Sequence, residues 1–290
     1  MIVTRFAPSP TGLLHVGHAM SALFAYEHAV EAGGTFLLRI EDIDPVRCKE
    51  EFVQAIFEDL HWLGLHWPEP VRRQSEHMND YKDALDQLKA RGLVYPCYCT
   101  RREVEAEVAR SGHAPHLDDG TLPYPGTCRA LTPAQRREKE IEREPVWRLD
   151  VTKAMASVPE SLTWHDRGAG TVRVDPALVG DVVLARKDVP TSYHLSVVVD
   201  DALQGVSLIT RGEDLLQATH IHRLLQALLD LPTPEYHHHK LMMGPDGRRY
   251  AKRDLSATLR SFRNHMSRMD FINLLKKNNC AAYSLPEETR

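Results

Sequence analysis

Arg5-Phe6-Ala7-Pro8-Ser9-Pro10-Thr11-Gly12-Leu13-Leu14-His15-Val16-Gly17-His18 is the stretch that decides how this chain is read. Ile2–Ala7 has the composition of a short buried strand, and Pro8 to Gly12 can only be a turn. Val16, Met20, Leu23, Phe24 and Val30 then recur at helical spacing, and Gly33-Gly34 closes the helix. A strand running through a Pro/Gly turn into a helix aims backbone amides and the positive end of the helix dipole at one point, where an anion is stabilised. His15 and His18 flank that point and can donate hydrogen bonds to phosphate oxygens. Gly17 is expected to leave room for a flat nucleotide base or ribose.

Working outward, Thr35–Ile40 reads as a second strand, Lys49–Leu63 as a helix closed by Gly64, and His77–Arg91 as a helix stopped by Gly92. Strands alternating with helices of this length predict an α/β fold with a Rossmann-like, doubly wound parallel sheet over residues 1–94. The pattern breaks near Val94. Residues 95–180, with three cysteines, a turn-rich Pro123–Gly126 and a charged helix over Pro133–Glu144, read as an insertion. The α/β signal returns over 181–240, at Asp181–Ala185 and Leu195–Val199, with a helix across Leu215–Leu231. Residues 241–290 form a loop and a basic tail, helical around Leu255–Met266 and Phe271–Lys277.

Composition bounds the rest. With 42% hydrophobic and 26% charged residues and a formal net charge of −4, the 290-residue chain has the composition of an ordinary soluble protein. The N-terminus shows no signal peptide, no apolar run suits a membrane span, and five cysteines do not form a secretory framework, so reducing cytoplasm is expected. Residues 1–96 hold nine Lys/Arg against fourteen Asp/Glu, whereas residues 248–278 hold nine against two. The basic segment around Arg260, Arg263 and Arg268 is therefore expected to help hold a polyanion such as RNA, although a solvated helix face explains the charge equally well.

Several ordered motifs together resemble the class I aminoacyl-tRNA synthetases, specifically the glutamyl branch. They are the opening stretch, Leu38-Arg39-Ile40-Glu41-Asp42-Ile43-Asp44-Pro45, Thr191-Ser192-Tyr193-His194-Leu195 and Ile209-Thr210-Arg211-Gly212-Glu213-Asp214. The resemblance runs from residue 1 to about Leu259. It implies ATP, with Mg²⁺, and glutamate as substrates, and a nucleotide site at His15, Gly17, His18 and Lys252. Lys252 alone keeps the expected lysine of the second signature loop. In Arg249-Tyr250-Ala251-Lys252-Arg253 an arginine replaces the first lysine and alanine removes a hydroxyl.

Glutamate needs a cation for its side-chain carboxylate and an acceptor for its ammonium. Arg5 and Arg211 suit the first task and Glu41, helped by the Tyr193 hydroxyl, the second. The resemblance implies that Arg5, Ser9, Glu41, Tyr193 and Arg211 hold the amino acid. Arg39 beside Glu41 or Asp42 could equally be a surface ion pair, and Asp42 and Asp44 are candidate Mg²⁺ ligands.

Cys97, Cys99 and Cys128 offer three soft ligands for a structural Zn²⁺, with Tyr124, His113 or His116 as the fourth. The shortened glutamyl-queuosine branch carries the same Cys-x-Cys and Tyr-x-x-x-Cys, which implies Tyr124. Cys48 and Cys280 are isolated. His237-His238-His239 is expected to play a structural part on the phosphate side. Only 38 residues follow Lys252, too few for an anticodon-binding region, and Val197 stands where bacterial glutamyl-tRNA synthetases often place asparagine. The resemblance thus implies transfer of glutamate to queuosine in tRNA(Asp), by a monomer. A truncated enzyme charging a tRNA 3′ end, or an idle RNA-binding paralogue, are the alternatives.

Overall fold

The computed structural model describes residues 1–111, 124–241 and 258–277. In chain order the elements begin with β1 (Val3–Phe6), α1 (Val16–Glu31), β2 (Thr35–Ile40), α2 (Glu50–Trp62), β3 (Arg72–Arg73), α3 (Met78–Ala90) and β4 (Val94–Cys97). There follow α4 (Arg101–Ser111), α5 (Pro133–Glu142), β5 (Val146–Leu149), α6 (Val151–Ala156), β6 (Thr163–Asp166), β7 (Gly170–Arg173) and α7 (Pro176–Val179). The chain continues with β8 (Val183–Ala185), α8 (Tyr193–Leu203), β9 (Leu208–Gly212), α9 (Leu216–Leu228), β10 (Glu235–His239), α10 (Leu259–His265) and α11 (Arg268–Lys277). These residues group into two compact units, one of Met1–Glu76, Gly205–Glu213 and the chain from Pro234, the other of His77–Gln204 and Asp214–Thr233.

The first unit is the expected Rossmann-like α/β arrangement. β1, β2 and β3 lie side by side and parallel, with Arg5 opposite Leu37, and β9 and β10 are likewise parallel. The Ser207 amide donates to the Val3 carbonyl at 3.0 Å, which sets the start of β9 beside β1. Parallel strands need a crossover, and α1 supplies it between β1 and β2. Ala19, Leu23, Phe24 and Ala25 bury the inner face of α1 against Phe36, Leu38 and Ile40. The Thr4 hydroxyl donates to the Ala25 carbonyl at 2.7 Å and so fixes strand to helix.

α1 ends where the sequence demands. The Gly33 amide donates to Val30 and the Gly34 amide to Ala29, with Gly33 at a φ of +59°. Gly34 answers a different need: a Cβ there would lie 2.0 Å from the Ile2 carbonyl oxygen, the group that accepts the Thr35 amide at the start of β2.

The tail is part of this core. Leu259, Phe271, Ile272 and Leu275 are buried in it, with Trp62 packed alongside. The arginines of the tail also make contacts within this unit. Arg263 pairs with Glu58 at 2.8 Å and lies 3.7 Å from the buried Asp59, while the Arg268 guanidinium packs against Gly64, filling the space its missing side chain leaves. Burial raises the Asp59 carboxyl to about 6.

In the second unit, β4, β5 and β8 form an antiparallel sheet and β6 and β7 an antiparallel hairpin. Leu195–Val199, part of the returning α/β signal, lies in helix α8. That helix is buried over Leu195 to Asp201, Ser196, Asp200 and Asp201 included, so its sequence lacks the polar stripe that marks a surface helix. The fully buried Tyr81 hydroxyl on α3 donates to Asp200 at 2.9 Å and satisfies that carboxylate.

The two glycines after α1 separate conformational strain from collision. Gly33→Ala is expected to cost about 1–2 kcal/mol through its left-handed backbone. Gly34→Ala should cost more, because the obstruction is backbone rather than a movable side chain. Urea midpoints of the two variants check the order.

Candidate active site and cysteine cluster

The opening turn is pinned by backbone bonds. Pro8 accepts the Glu41 amide at 3.0 Å and Pro10 accepts the Lys49 amide at 3.1 Å, so the turn lies against the end of β2. Ser9 is exposed within it, its carbonyl accepting from Thr11 at 2.8 Å. His15 is the N-cap of α1. Its Nδ1 accepts the Gly17 amide at 3.1 Å, and the Nδ1 of His18 accepts the His15 amide at 3.1 Å.

Two imidazoles thus replace the hydroxyl and carboxamide of an ordinary capping box. Because each Nδ1 accepts, each ring carries its proton on Nε2 and can donate from there. A Cβ on Gly17 would come 3.0 Å from Cε1 of His15, so glycine makes room for the capping ring. Behind the turn, Leu14 accepts the Leu259 amide at 2.8 Å and His15 bridges Thr258, joining the start of α10 to the signature turn. Lys252, with Arg249, Ala251 and Arg253, lies outside the described residues.

Three arginines are buried in the same unit. Arg5 donates to the Thr210 carbonyl at 3.1 Å. Arg39 is fully buried and donates to Glu41 at 3.1 Å, so this pair is internal rather than a surface ion pair. Arg211 donates from Nε to Nε2 of His238 at 3.2 Å, and its guanidinium lies 5.5 Å from the centre of the Tyr236 ring. Arg5, Glu41 and Arg211, three of the five expected glutamate residues, therefore belong to one unit with Ser9, whereas Tyr193 begins helix α8 of the other, beside His194 and His222. Val197 is buried one turn further on.

The two candidate Mg²⁺ ligands are engaged by protein donors. Asp42 accepts from the amide and hydroxyl of Ser75, both at 2.8 Å, and Asp44 from Val46, Arg47 and the Arg47 side chain. The Arg47 guanidinium lowers the Asp44 carboxyl.

Three successive histidines diverge because side chains alternate along a strand. His237 and His239 turn toward α1. His28 donates its Nδ1–H to the Phe24 carbonyl at 2.9 Å and accepts on Nε2 from Nδ1 of His237 at 3.0 Å. Nε2 of His239 lies 3.0 Å from the Ser21 hydroxyl. His238 faces the other way and meets Arg211. The phosphate-side reading of this triplet missed that contact; the signal was alternation within it.

In the second unit, Cys97, Cys99 and Cys128 bring their sulfurs within 4.8 Å of one another, the group of metal-capable side chains found among the described residues. The Tyr124 hydroxyl is 3.3 Å from Cys97 and 3.4 Å from Cys99 and accepts the Cys128 amide at 2.9 Å. Cys99 and Cys128 are 3.5 Å apart, too far for a disulfide and close to a tetrahedral edge. The Arg148 guanidinium covers the Tyr124 ring at 3.9 Å. His113 and His116 lie outside the described residues.

No helix among the described residues is long and apolar enough to cross a membrane. The chain is 48% identical over 265 residues to the glutamyl-Q tRNA(Asp) synthetase of Rhodobacter capsulatus, covering 90% of this chain and 95% of that protein. A protein of the same name from Symbiobacterium thermophilum is 43% identical, over 91% of this chain and 81% of its own length. Glutamate–tRNA ligase 1 of Ruegeria pomeroyi is 40% identical over 91% of this chain but 57% of its own.

Among solved structures, a glutamate tRNA ligase from Elizabethkingia meningosepticum in complex with its amino acid superposes with a TM-score of 0.72 at 28% identity over 87% of this chain. The present chain spans about half of that one, 52%. The family described as tRNA synthetases class I (E and Q), catalytic domain, matches residues 1–280. The chain belongs to that family, on the branch whose curated members are named glutamyl-Q tRNA(Asp) synthetase.

Proposed function

We propose that this chain activates glutamate with ATP to form glutamyl-adenylate and pyrophosphate, and then transfers the glutamyl group to queuosine in the anticodon of tRNA(Asp), releasing AMP. The observation that carries this is the 48% identity to a relative of that name along 95% of the relative's length. The proposed setting is the cytoplasm, and the working form a monomer.

Activation needs no general base, since the glutamate α-carboxylate is already ionised and attacks the α-phosphate directly. Its rate rests on positioning and on stabilising the charge that builds on the phosphates. Arg5 and Arg211 grip the side-chain carboxylate, and Ser9, Glu41 and Tyr193 hold the backbone end. His15 and His18, with protons fixed on Nε2, donate to the phosphate oxygens beside Gly17, and Lys252 supplies a cation from the second signature loop. Mg²⁺ enters with ATP.

Arg5→Ala or Arg211→Ala is expected to abolish glutamate-dependent ATP–pyrophosphate exchange while ATP still binds. Removing one partner of such a charge pair costs about 2–5 kcal/mol. Unchanged exchange kinetics in both variants overturn the assignment.

Cys97, Cys99, Cys128 and Tyr124 are proposed to hold a structural Zn²⁺. Their support is the clustering of three sulfurs around one phenol. The ion would clamp the end of β4 to the Cys128 turn. Metal analysis of untagged protein should find close to one Zn per chain, lost in the Cys97→Ser/Cys99→Ser variant. Fully folded wild type without metal refutes the site.

The acceptor is tested with tRNA(Asp). Glutamyl-adenylate should form without tRNA. Transfer should then require queuosine, and the ester should survive removal of the 3′-terminal adenosine. Glutamate released with that adenosine identifies a 3′-end-charging enzyme instead, as the 40% match to a glutamate–tRNA ligase would allow. No exchange at all identifies an idle paralogue, for which Ala251 in the signature loop offers a cause.

A further inference from the structure

We infer that His238 is a positioning residue for Arg211, setting the orientation of the guanidinium that receives the substrate carboxylate. This rests on the proposed role of Arg211 in holding glutamate. Arg211 and His238 stand directly opposite each other in the parallel pairing of β9 with β10, so their side chains leave the sheet on the same face. The Nε of Arg211 donates to Nε2 of His238 at 3.2 Å. A guanidinium has donors only, so this ring nitrogen must hold a lone pair and His238 must be neutral with its proton on Nδ1.

The floor beneath the pair is rigid. Tyr236 is fully buried, its ring lies parallel to that of His238 within 2° at a centroid distance of 6.0 Å, and it underlies the Arg211 guanidinium at 5.5 Å. A planar five-donor fork can rotate about its last side-chain torsion and offer either the Nε edge or the terminal edge to a ligand. With Nε committed to His238, the paired terminal nitrogens become the edge for the carboxylate. His238 thereby acts on glutamate without touching it, and neither the altered signature loop nor the cysteine cluster enters into the effect.

The geometry distinguishes two amides that look alike in sequence. Glutamine at 238 can place its carbonyl oxygen where Nε2 of the imidazole sits, whereas asparagine reaches only as far as Nδ1. In glutamate-dependent ATP–pyrophosphate exchange on the full chain, His238→Ala should raise the glutamate KM roughly ten- to a hundredfold, the range for losing a hydrogen bond to a charged group. The KM for ATP should stay within about twofold, as expected of a change that touches only the amino-acid side. His238→Gln should recover most of the loss and His238→Asn should not. In an Arg211→Lys background, which lacks the Nε donor, adding His238→Ala should change the glutamate KM by less than about twofold.

A glutamate KM unmoved by His238→Ala, while Arg211→Ala abolishes exchange, overturns this inference and leaves the proposed function intact. Exchange kinetics unchanged by Arg211→Ala overturn the role of Arg211 itself. Should His238→Ala fail to fold, the glutamine–asparagine contrast carries the test, and equal KM values for those two overturn the inference.

Discussion

The guanidinium groups of Arg5, Arg39 and Arg211 are buried in one small α/β unit, and a charge taken out of water is tolerated only where acceptors meet it at hydrogen-bonding distance. The unit supplies three kinds: the Glu41 carboxylate for Arg39, the Thr210 carbonyl for Arg5 and the His238 imidazole for Arg211. Each is delivered by strand position. Arg5 stands on β1, Thr210 and Arg211 on β9, and His238 on β10, in register with Arg211. A slip of one residue would turn His238 toward α1 and bring its neighbours to Arg211. Parallel register is thus what brings His238 to Arg211, whereas Arg39 finds Glu41 two residues along its own chain.

The second unit solves a comparable problem with one carboxylate. Buried Asp181 accepts from the Tyr95 hydroxyl at 2.5 Å, from the Val151 amide at 3.0 Å and from the Arg129 side chain. Burial and that carboxylate together push the Tyr95 phenol above its usual range. Arg129 follows Cys128 directly, so the same hub that joins β4 to the start of α6 also fixes the turn carrying the third cysteine.

Much of the first unit could be read from residues alone, because its signals are local: a strand, a Pro/Gly turn, a helix of clear period and a double-glycine stop. Arg5, Glu41 and Arg211 were singled out as candidates because their chemistry suits a carboxylate and an ammonium. Two kinds of feature stayed hidden. Helix α8 is buried almost all round, so Leu195–Val199 carries no stripe to separate helix from strand. β10 is built on Tyr236 and three imidazoles, and histidine is too weakly apolar to signal a buried strand by composition. The contacts of the tail's arginines were hidden for a related reason. Charge along a sequence does not tell whether a guanidinium meets solvent, a carboxylate such as Glu58, or the open backbone of a glycine such as Gly64.

The imidazole capping box at the start of α1 joins two properties that are usually separate. In most helices the cap is a folding device and can be exchanged among serine, threonine, aspartate and asparagine with little consequence beyond stability. Here the bonds that cap the helix also dictate which ring nitrogen of His15 and of His18 bears hydrogen. Asparagine at position 15 could still receive the Gly17 amide, yet it would bring no aromatic N–H on its far side. Under the proposed function, folding and chemistry at this turn would share the same atoms, so a change of cap that kept the helix would still remove the ring N–H.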